Sequence, residues 1–295
     1  MEISPEWEHH YAHVNNIRLH YVSAGEGPLV VLLHGFPEFW YSWRHQIPVL
    51  AERFRVVAPD MRGYNQSEKP VGVYRYRVGA LMEDVAGLIR HLGAESAVLA
   101  AHDWGGGVAW PFAAYYPHMV ERLIILNCPP PDVLLTHLIK NRAQLHRSYY
   151  MFLFQIPLLP ELALRSRDYR LVEGLFKGWL LDKGALTAHD IDMFKEAAAK
   201  PGALTGSINY YRAAFRQFLR SSRREKGSRA KVKCPTLVIW AEEDRALGKE
   251  LTYDFHTAVE GPLDIRYIPG CSHWVQQEKP EEVNSLIMDF LSDYP

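Results

Sequence analysis

An aspartate occupies a position in this sequence from which its carboxylate could act as a nucleophile. The segment Ala101-His102-Asp103-Trp104-Gly105-Gly106 follows a continuous apolar run and precedes a helical pattern. Small residues at positions 101, 105 and 106 suit a sharp turn in which a strand and a helix pack closely around one strained residue. The segment is therefore compatible with nucleophilic attack by Asp103, or with an aspartate that only caps the helix.

Two residues further along the chain could complete a catalytic triad with Asp103. Asp244 lies in AEEDRA, at the end of a predicted buried strand, and His273 lies in GCSHW, after the last predicted strand. The chain order of nucleophile, acid and histidine matches that of hydrolase triads built on parallel sheets. In such a triad the histidine deprotonates water, and the acid orients the ring and stabilises its charge. Spacing alone leaves Glu242 and Glu243 as alternative acids.

A third segment, HGFP at His34–Pro37, could supply hydrogen-bond donors for an oxyanion. Donors in such sites are backbone N–H groups, one from the residue after the nucleophile and one from the loop after an earlier strand. These rules assign the N–H groups of Trp104 and Phe36 to an oxyanion hole. Pro37 indicates a tight turn and makes a cis Phe36–Pro37 bond plausible. A plain strand-ending loop is the alternative interpretation of HGFP.

The segments that must position these residues alternate between strands and helices. Continuous apolar runs such as GPLVVLLHGFP and SAVLAAHD are typical of strands buried on both faces of a parallel sheet. Period-two strands are predicted near Trp7–Val14 and Ile17–Ser23, and helices at Val78–Leu92, near Lys249–Val259 and from Glu281. This order predicts an α/β fold with a mostly parallel sheet, in which ligands bind beyond the carboxyl ends of the strands.

A long helical stretch interrupts the alternation and suggests a lid. Residues 132–229 are predicted to form helices only, rich in aromatic residues and arginine, before strands resume. We therefore expect a first core segment, 1–131, a helical cap, 132–229, and a second core segment, 230–295.

Composition argues against several classes of function. The 295 residues carry 33 Lys and Arg against 34 Asp and Glu, and a net charge of −1 does not favour nucleic-acid binding. No apolar stretch is long enough to span a bilayer, and the start, MEISPEWEHH, lacks the apolar run of a signal peptide. Three cysteines favour neither disulfides nor a zinc site and suit a reducing cytoplasm. His9, His10 and His13 are interpreted as exposed strand residues rather than metal ligands.

The sequence as a whole resembles the epoxide hydrolases of the α/β-hydrolase fold. The matching segments run from near residue 14 to the C-terminus: HGFPEFWYSWRHQ, APDMRGYNQS, AHDWGGG, SYYMFLFQIP, GSINYYR, WAEEDRAL and SHWVQQEKPEEV. The resemblance implies a mostly parallel central sheet flanked by helices, with an inserted all-helical cap, and it selects Asp244 as the triad acid. Asn65-Gln66 departs from the family, which usually has glycine after RGY, at what we expect to be a surface turn.

The resemblance also distinguishes between the tyrosines of the lid. Of the pairs Tyr149-Tyr150 and Tyr210-Tyr211, the family keeps the positions of Tyr150 and Tyr211, whereas Tyr149 and Tyr210 are expected to be structural. A tyrosine hydroxyl can protonate the basic alkoxide that forms when an epoxide ring opens. By the same resemblance, the residues expected to line the substrate pocket are Pro37, Met151, Phe154 and Trp274.

The expected activity is conversion of a lipophilic epoxide to a vicinal diol through an ester on Asp103, with water as co-substrate and without cofactor or metal. A haloalkane dehalogenase would use the same nucleophile, but its halide leaves without an acid, so Tyr150 and Tyr211 favour the epoxide. Fluoroacetate dehalogenases typically have arginine at the position of Trp104. A non-catalytic scaffold that binds an apolar ligand is disfavoured because every catalytic position is filled. We expect a cytoplasmic monomer or homodimer.

Overall fold

A central sheet of eight strands organises the computed structural model, which describes residues 7–221 and 230–294. The strands are β1 (Glu8–Val14), β2 (Ile17–Ala24), β3 (Leu29–Leu33), β4 (Arg55–Pro59), β5 (Ala97–His102), β6 (Val120–Leu126), β7 (Thr236–Ala241) and β8 (Leu263–Ile268). Their order across the sheet is β1-β2-β4-β3-β5-β6-β7-β8. β2 pairs antiparallel with β1 and with β4, and all other pairs are parallel. The predicted α/β fold with a mostly parallel sheet is confirmed.

Burial of the strands follows from their sequences. The central strands β3, β5 and β7 are buried at every residue, because helices cover both faces of the parallel part of the sheet. The edge strand β1 exposes His9 and His13, as predicted, while His10 is partly buried. His9 also contacts the interior, since its Nδ1 lies 2.8 Å from Nε2 of the buried His20.

Eleven α-helices are present in the described parts of the chain, and several begin and end close to their predicted positions. Their bounds are α1 (Ile47–Leu50), α2 (Val78–His91), α3 (Trp104–Tyr115), α4 (Pro131–Lys140), α5 (Arg142–Arg147), α6 (Tyr149–Leu153), α7 (Leu159–Trp179), α8 (Ala188–Ala199), α9 (Ala203–Ser221), α10 (Val275–Glu278) and α11 (Pro280–Phe290). The apolar stripe predicted for α2 is buried, including Leu81, Val85 and Leu88. The apolar face of each such helix is what closes the sheet from solvent.

Helices α4 to α9 lie between β6 and β7 in the chain, and all of their residues except Pro131 fall within the stretch 132–229 that was predicted to be helical. α7 is interrupted at Ser166–Tyr169, where Arg167, Asp168 and Tyr169 have φ values of 51°, 54° and 58°. Within residues 7–221 and 230–294, no helix is long and apolar enough to cross a membrane. Residues 1–6 of the predicted N-terminal segment and 222–229 of the predicted cap lie outside the described residues.

The helix predicted near Lys249–Val259 is present as a 3-10 helix at Lys249–Thr257. One local prediction is wrong. The turn at Asn65-Gln66 is not wholly on the surface, because Asn65 is buried and its Nδ2 donates to Asp60 Oδ2 at 2.9 Å. Asn65 has φ 34°, a left-handed conformation that asparagine tolerates better than most residues.

Candidate active site

The turn between β5 and α3 holds Asp103 in a strained conformation. Its φ of 47° and ψ of −118° lie in a region that residues with side chains rarely occupy. The flanking glycines are required by close packing: a Cβ on Gly105 would lie 2.1 Å from the carbonyl oxygen of Leu33, and one on Gly106 would lie 2.5 Å from Cβ of Cys128. The small residues at positions 105 and 106 predicted this close packing from the sequence.

The two carboxylate oxygens of Asp103 have different neighbours. Oδ1 accepts a hydrogen bond of 2.8 Å from the N–H of Phe36, and Oδ2 lies 3.7 Å from Nε2 of His273. Gly35 allows this approach, because a Cβ there would lie 2.5 Å from Cβ of Asp103. The Phe36–Pro37 peptide bond is cis. One oxygen is thus held by the HGFP turn, while the other faces the histidine.

Trp104 is the first residue of α3, directly after Asp103. The first N–H groups of an α-helix have no acceptor within the helix, and the N-terminal end of the helix dipole favours negative charge. The N–H of Trp104 and the N–H of Phe36 therefore come from the two backbone segments that adjoin the Asp103 carboxylate. The assignment of these two N–H groups to an oxyanion hole stays a prediction.

His273 and Asp244 form a buried hydrogen-bonded pair. Nδ1 of His273 lies 2.7 Å from Oδ2 of Asp244, and both side chains are almost completely excluded from solvent. Asp244 Oδ2 also accepts from Asn127 Nδ2 at 2.7 Å, and its Oδ1 accepts from the N–H groups of Ala246 and Leu247. Burial alone would raise the pKa of Asp244, but His273 and these donors lower it below its usual range, so the carboxylate is charged.

The electrostatics of His273 depend on both aspartates. Burial lowers the pKa of the imidazole, but the negative charges of Asp244 and, to a smaller extent, Asp103 raise it to about 9. The ring is therefore cationic at neutral pH as long as both carboxylates are ionised. Any reaction that neutralises Asp103 removes part of this stabilisation and lowers the pKa of His273, so that a larger fraction of the ring is neutral and able to accept a proton.

Tyr150 on α6 and Tyr211 on α9 approach one another above this site. Their ring centroids are 5.9 Å apart, and the ring of Tyr211 lies 5.5 Å from that of Phe36 and 4.9 Å from that of Trp104. Burial, followed by the charge of Asp103, raises the pKa of each phenol well above its ordinary value. Both hydroxyls are therefore protonated at neutral pH and can act as donors.

The other tyrosine of each pair lies elsewhere. Tyr149 is 61% exposed, and the hydroxyl of Tyr210 donates to the carbonyl oxygen of Arg62 at 2.8 Å. The sequence had left the choice within each pair to the family resemblance, and the geometry brings only Tyr150 and Tyr211 towards Asp103.

The residues expected to line the pocket differ in their surroundings. Phe154 packs against Phe36, with ring centroids 5.4 Å apart. Pro37, the residue after Phe36, is buried, and Met151 is half-buried. Trp274 is buried, lies 4.9 Å from the ring of His273 and donates from Nε1 to the carbonyl oxygen of Leu175 at 3.3 Å. Trp274 therefore packs against His273 within the protein interior.

Sequence reasoning missed a buried network beneath the triad. Glu38 accepts from Gly35 N–H at 3.1 Å and from Gln276 and Gln277, and its Oε2 lies 2.7 Å from Nδ1 of His102. The other ring nitrogen of His102 lies 2.9 Å from the carbonyl oxygen of His273. Both ring nitrogens of His102 face acceptors and can both donate only if the ring is protonated.

This network ties the HGFP turn, the nucleophile turn and the His273 loop together. A signal for it was present in the sequence, since Glu38 directly follows HGFP and His102 directly precedes Asp103. A second missed neighbour is Trp179, at the end of α7, whose ring lies 5.9 Å from that of His273. Nothing in its local sequence distinguishes Trp179 from the other aromatic residues of the helical segment.

Comparison with known proteins defines the class first. A family model described as the α/β hydrolase fold matches residues 28–280. The chain is 40% identical over 282 residues to Epoxide hydrolase 3 of Mus musculus, a match that covers 95% of this chain and 75% of the mouse protein. It is 42% identical to the AB hydrolase superfamily protein YfhM of Bacillus subtilis, covering 96% of this chain and 97% of that protein.

A solved structure gives the same result. The crystal structure of Bacillus megaterium epoxide hydrolase in complex with an inhibitor superposes with a TM-score of 0.86 and 34% identity, covering 96% of this chain and all of that one. The chain therefore belongs to the epoxide hydrolases of the α/β-hydrolase fold, as its motifs predicted.

Proposed function

We propose that this enzyme converts a lipophilic epoxide to a vicinal diol in two steps, through a covalent ester on Asp103. The observation that carries the proposal is the asymmetry of the Asp103 carboxylate, with Oδ1 bound by the Phe36 N–H and Oδ2 facing His273. A serine at this turn would form an ether with an alkyl electrophile, which the triad could not hydrolyse. An aspartate forms an ester, which a histidine–aspartate pair can cleave.

In the first step, Oδ2 of Asp103 attacks a carbon of the epoxide and the ring C–O bond breaks. The oxygen that leaves is a basic alkoxide, and the protonated phenols of Tyr150 and Tyr211 supply the proton or hydrogen bonds it needs. The high pKa values of these phenols suit this role, because a tyrosine that donated its proton to an alkoxide would readily regain one.

In the second step, the ester is hydrolysed. Alkylation removes the charge of Asp103, so the pKa of His273 falls from about 9 and the ring releases its proton to solvent. The neutral ring then accepts a proton from water. The hydroxide attacks Cγ of Asp103, and the negative charge that develops on Oδ1 is stabilised by the N–H groups of Phe36 and Trp104. When this intermediate collapses, the bond from Cγ to Oδ2 breaks, Oδ2 leaves with the diol and takes the proton from His273, and the Asp103 carboxyl loses its remaining proton to solvent. Asp244 orients His273 and stabilises its cation throughout.

The deciding assay offers the purified enzyme a styrene-type epoxide and a haloalkane separately. We expect diol from the epoxide, because the two tyrosines can protonate the alkoxide that forms, and we expect no halide from the haloalkane. Release of halide without formation of diol would favour the dehalogenase alternative and overturn the proposal. Absence of both products would favour the binding scaffold.

The roles of the tyrosines are tested by Tyr150→Phe and Tyr211→Phe together. Loss of both hydroxyls is expected to slow alkylation roughly 10²–10⁴-fold, the range typical of general acid catalysis. Rapid-quench measurement of ester formation in a single turnover gives this rate directly. Tyr149→Phe is the matched control and should leave the rate unchanged. Equal rates in the double variant and the control would show that other groups protonate the alkoxide.

The electrostatic coupling predicts a shift in the titration of His273. In the wild-type enzyme the ring should be charged below pH 9 and neutral above it, and Asp103→Asn should lower this pKa because one of the two stabilising charges is removed. Imidazole NMR titration of both proteins measures the shift, with the exposed His13 as an internal control. If the pKa of His273 were the same in both proteins, loss of the Asp103 charge would not convert the ring to its neutral form, and the proposed second step would be contradicted.

We further propose the division into a core of residues 1–131 and 230–295 and a cap of residues 132–229. Support comes from the placement of α4 to α9 between two neighbouring strands, β6 and β7, and from the two cap tyrosines that face the nucleophile.

A cytoplasmic location is proposed because the thiols of Cys128, Cys234 and Cys271 are free. Whether the enzyme is a monomer or a homodimer is to be tested by sedimentation.

A further inference from the structure

Helices α6 and α7 present an apolar surface to solvent. We call it the outer patch and define it by six side chains that are each between 47% and 71% exposed: Tyr149, Phe152, Leu153, Leu158, Leu159 and Leu162. Isolated exposed apolar residues are common on soluble proteins, but six within 14 residues of chain are not, and such patches mark surfaces that bind a partner.

The local structure bears on the exposure of these side chains. On α6, Tyr149, Phe152 and Leu153 are spaced i, i+3 and i+4 and share one face, while Tyr150 is directed towards Asp103. Leu158 precedes α7 with φ 64° and ψ −32°, a conformation that is unfavourable for leucine. Its side chain is 71% exposed, so packing within the chain does not compensate for this strain.

The part of the chain that forms the outer patch is rich in arginine. Residues 142–170 contain five arginines, of which Arg147 pairs with Glu250 at 2.8 Å, and two acidic residues. Both acids already have partners, since Glu161 binds Arg212 at 2.6 Å and Asp168 pairs with Lys195. Arg142 and Arg165 are exposed, and neither has a carboxylate partner in the described parts of the chain. Across residues 132–221, 13 Lys and Arg face 8 Asp and Glu, although the whole chain has a net charge of −1.

From these observations we infer that the outer patch docks on the surface of an anionic lipid bilayer. The apolar side chains enter the boundary between headgroups and acyl chains, and the arginines contact the anionic headgroups, as in other interfacial helices. A second copy of the chain is a poorer partner, because pairing two outer patches would bring two cationic surfaces together. No spanning helix is needed for this mode of binding.

Docking would bring a membrane-dissolved substrate close to the site. Three of the six outer-patch side chains belong to the same short helix as Tyr150, which is directed towards Asp103, and an α-helix with its side chains is about 10 Å across. This consequence rests on the proposed function, since it assumes a lipophilic epoxide. The docking itself does not depend on the reaction and can be measured without substrate.

The test is flotation of the purified full chain with vesicles of phosphatidylcholine alone and of phosphatidylcholine with an equal amount of phosphatidylglycerol. We expect binding to the anionic vesicles, weakened by salt. Phe152→Ser/Leu158→Ser/Leu159→Ser should weaken binding by about tenfold or more, because apolar burial is lost. Arg142→Gln/Arg165→Gln should weaken it roughly tenfold or more, since each arginine near an anionic surface contributes about fivefold.

The matched control is Val71→Ser/Tyr74→Ser, which removes exposed apolar side chains from a loop of the core and should leave binding unchanged. The inference is overturned if the wild type does not float, if it binds both vesicle types equally, or if the outer-patch variant binds as well as the control. It is also overturned if the wild type sediments as a dimer and does not bind vesicles, whereas the outer-patch variant sediments as a monomer. All variants should convert a water-soluble epoxide normally, so failure of docking and failure of the proposed chemistry are distinguishable.

Discussion

His273→Gln is expected to stop the reaction at the ester on Asp103. Glutamine cannot take a proton from water, whereas the alkylation step uses Oδ2 of Asp103 and the tyrosines and needs no base. Overall turnover should fall roughly 10²–10⁴-fold, the usual contribution of a general base. After incubation with epoxide, intact-mass measurement should show the protein heavier by the mass of one substrate molecule.

The matched control is the double variant Asp103→Ala/His273→Gln. It lacks the carboxylate, so no added mass is expected, and digestion of the single variant should locate the adduct on the peptide that contains Asp103. If His273→Gln turned over at the wild-type rate without an adduct, another group would be the base. If both proteins gained the same mass, the nucleophile would be a different residue.

Gly105→Ala is expected to have the largest effect on stability. The new Cβ would lie 2.1 Å from the carbonyl oxygen of Leu33, a contact between two backbone segments that neither β3 nor α3 can relieve by rotating a side chain. Inserting a methyl group into a well-packed core typically costs about 1–3 kcal/mol, and a clash with backbone should exceed that range. Urea denaturation, or failure to obtain folded protein, measures the effect.

Gly79→Ala on α2 is the control, because a Cβ there meets no atom within 4 Å. It should leave stability unchanged or raise the free energy of unfolding by about 0.4–1 kcal/mol. A Gly105→Ala protein that unfolds at the same urea concentration as the wild type would show that β5, α3 and β3 can separate more easily than their packing indicates.

Much of the fold could be predicted because buried segments have a recognisable pattern of apolar residues in the sequence. β3, with the sequence LVVLL, has no polar residue, and such a run is stable only where helices cover both faces of a sheet. The glycines after Asp103 likewise indicated that α3 lies close to a neighbouring strand, because they have no Cβ. These features are local, so one sequence was enough to find them.

Features that depend on distant partners could not be predicted in this way. The Glu38–His102 contact joins residues 64 positions apart, and no spacing rule connects them. The choice of Tyr150 over Tyr149 depends on which face of α6 meets the core, and α6 is too short for periodicity to decide it. The exposure of Asn65 was misjudged although its buried partner, Asp60, is only five residues away, because the sequence does not show that the Asn65 side chain turns inward.

The unequal environment of the two Asp103 oxygens has a consequence for the origin of the atoms in the product. In the proposed reaction Oδ2 leaves with the diol, and an oxygen from water takes its place, while Oδ1 is retained by the Phe36 N–H. In water enriched in ¹⁸O, the first diol released by each enzyme molecule should be unlabelled, and the isotope should appear in Asp103. If the carboxylate does not rotate between turnovers, the second diol carries the label. Each product would thus contain a solvent oxygen acquired one turnover earlier.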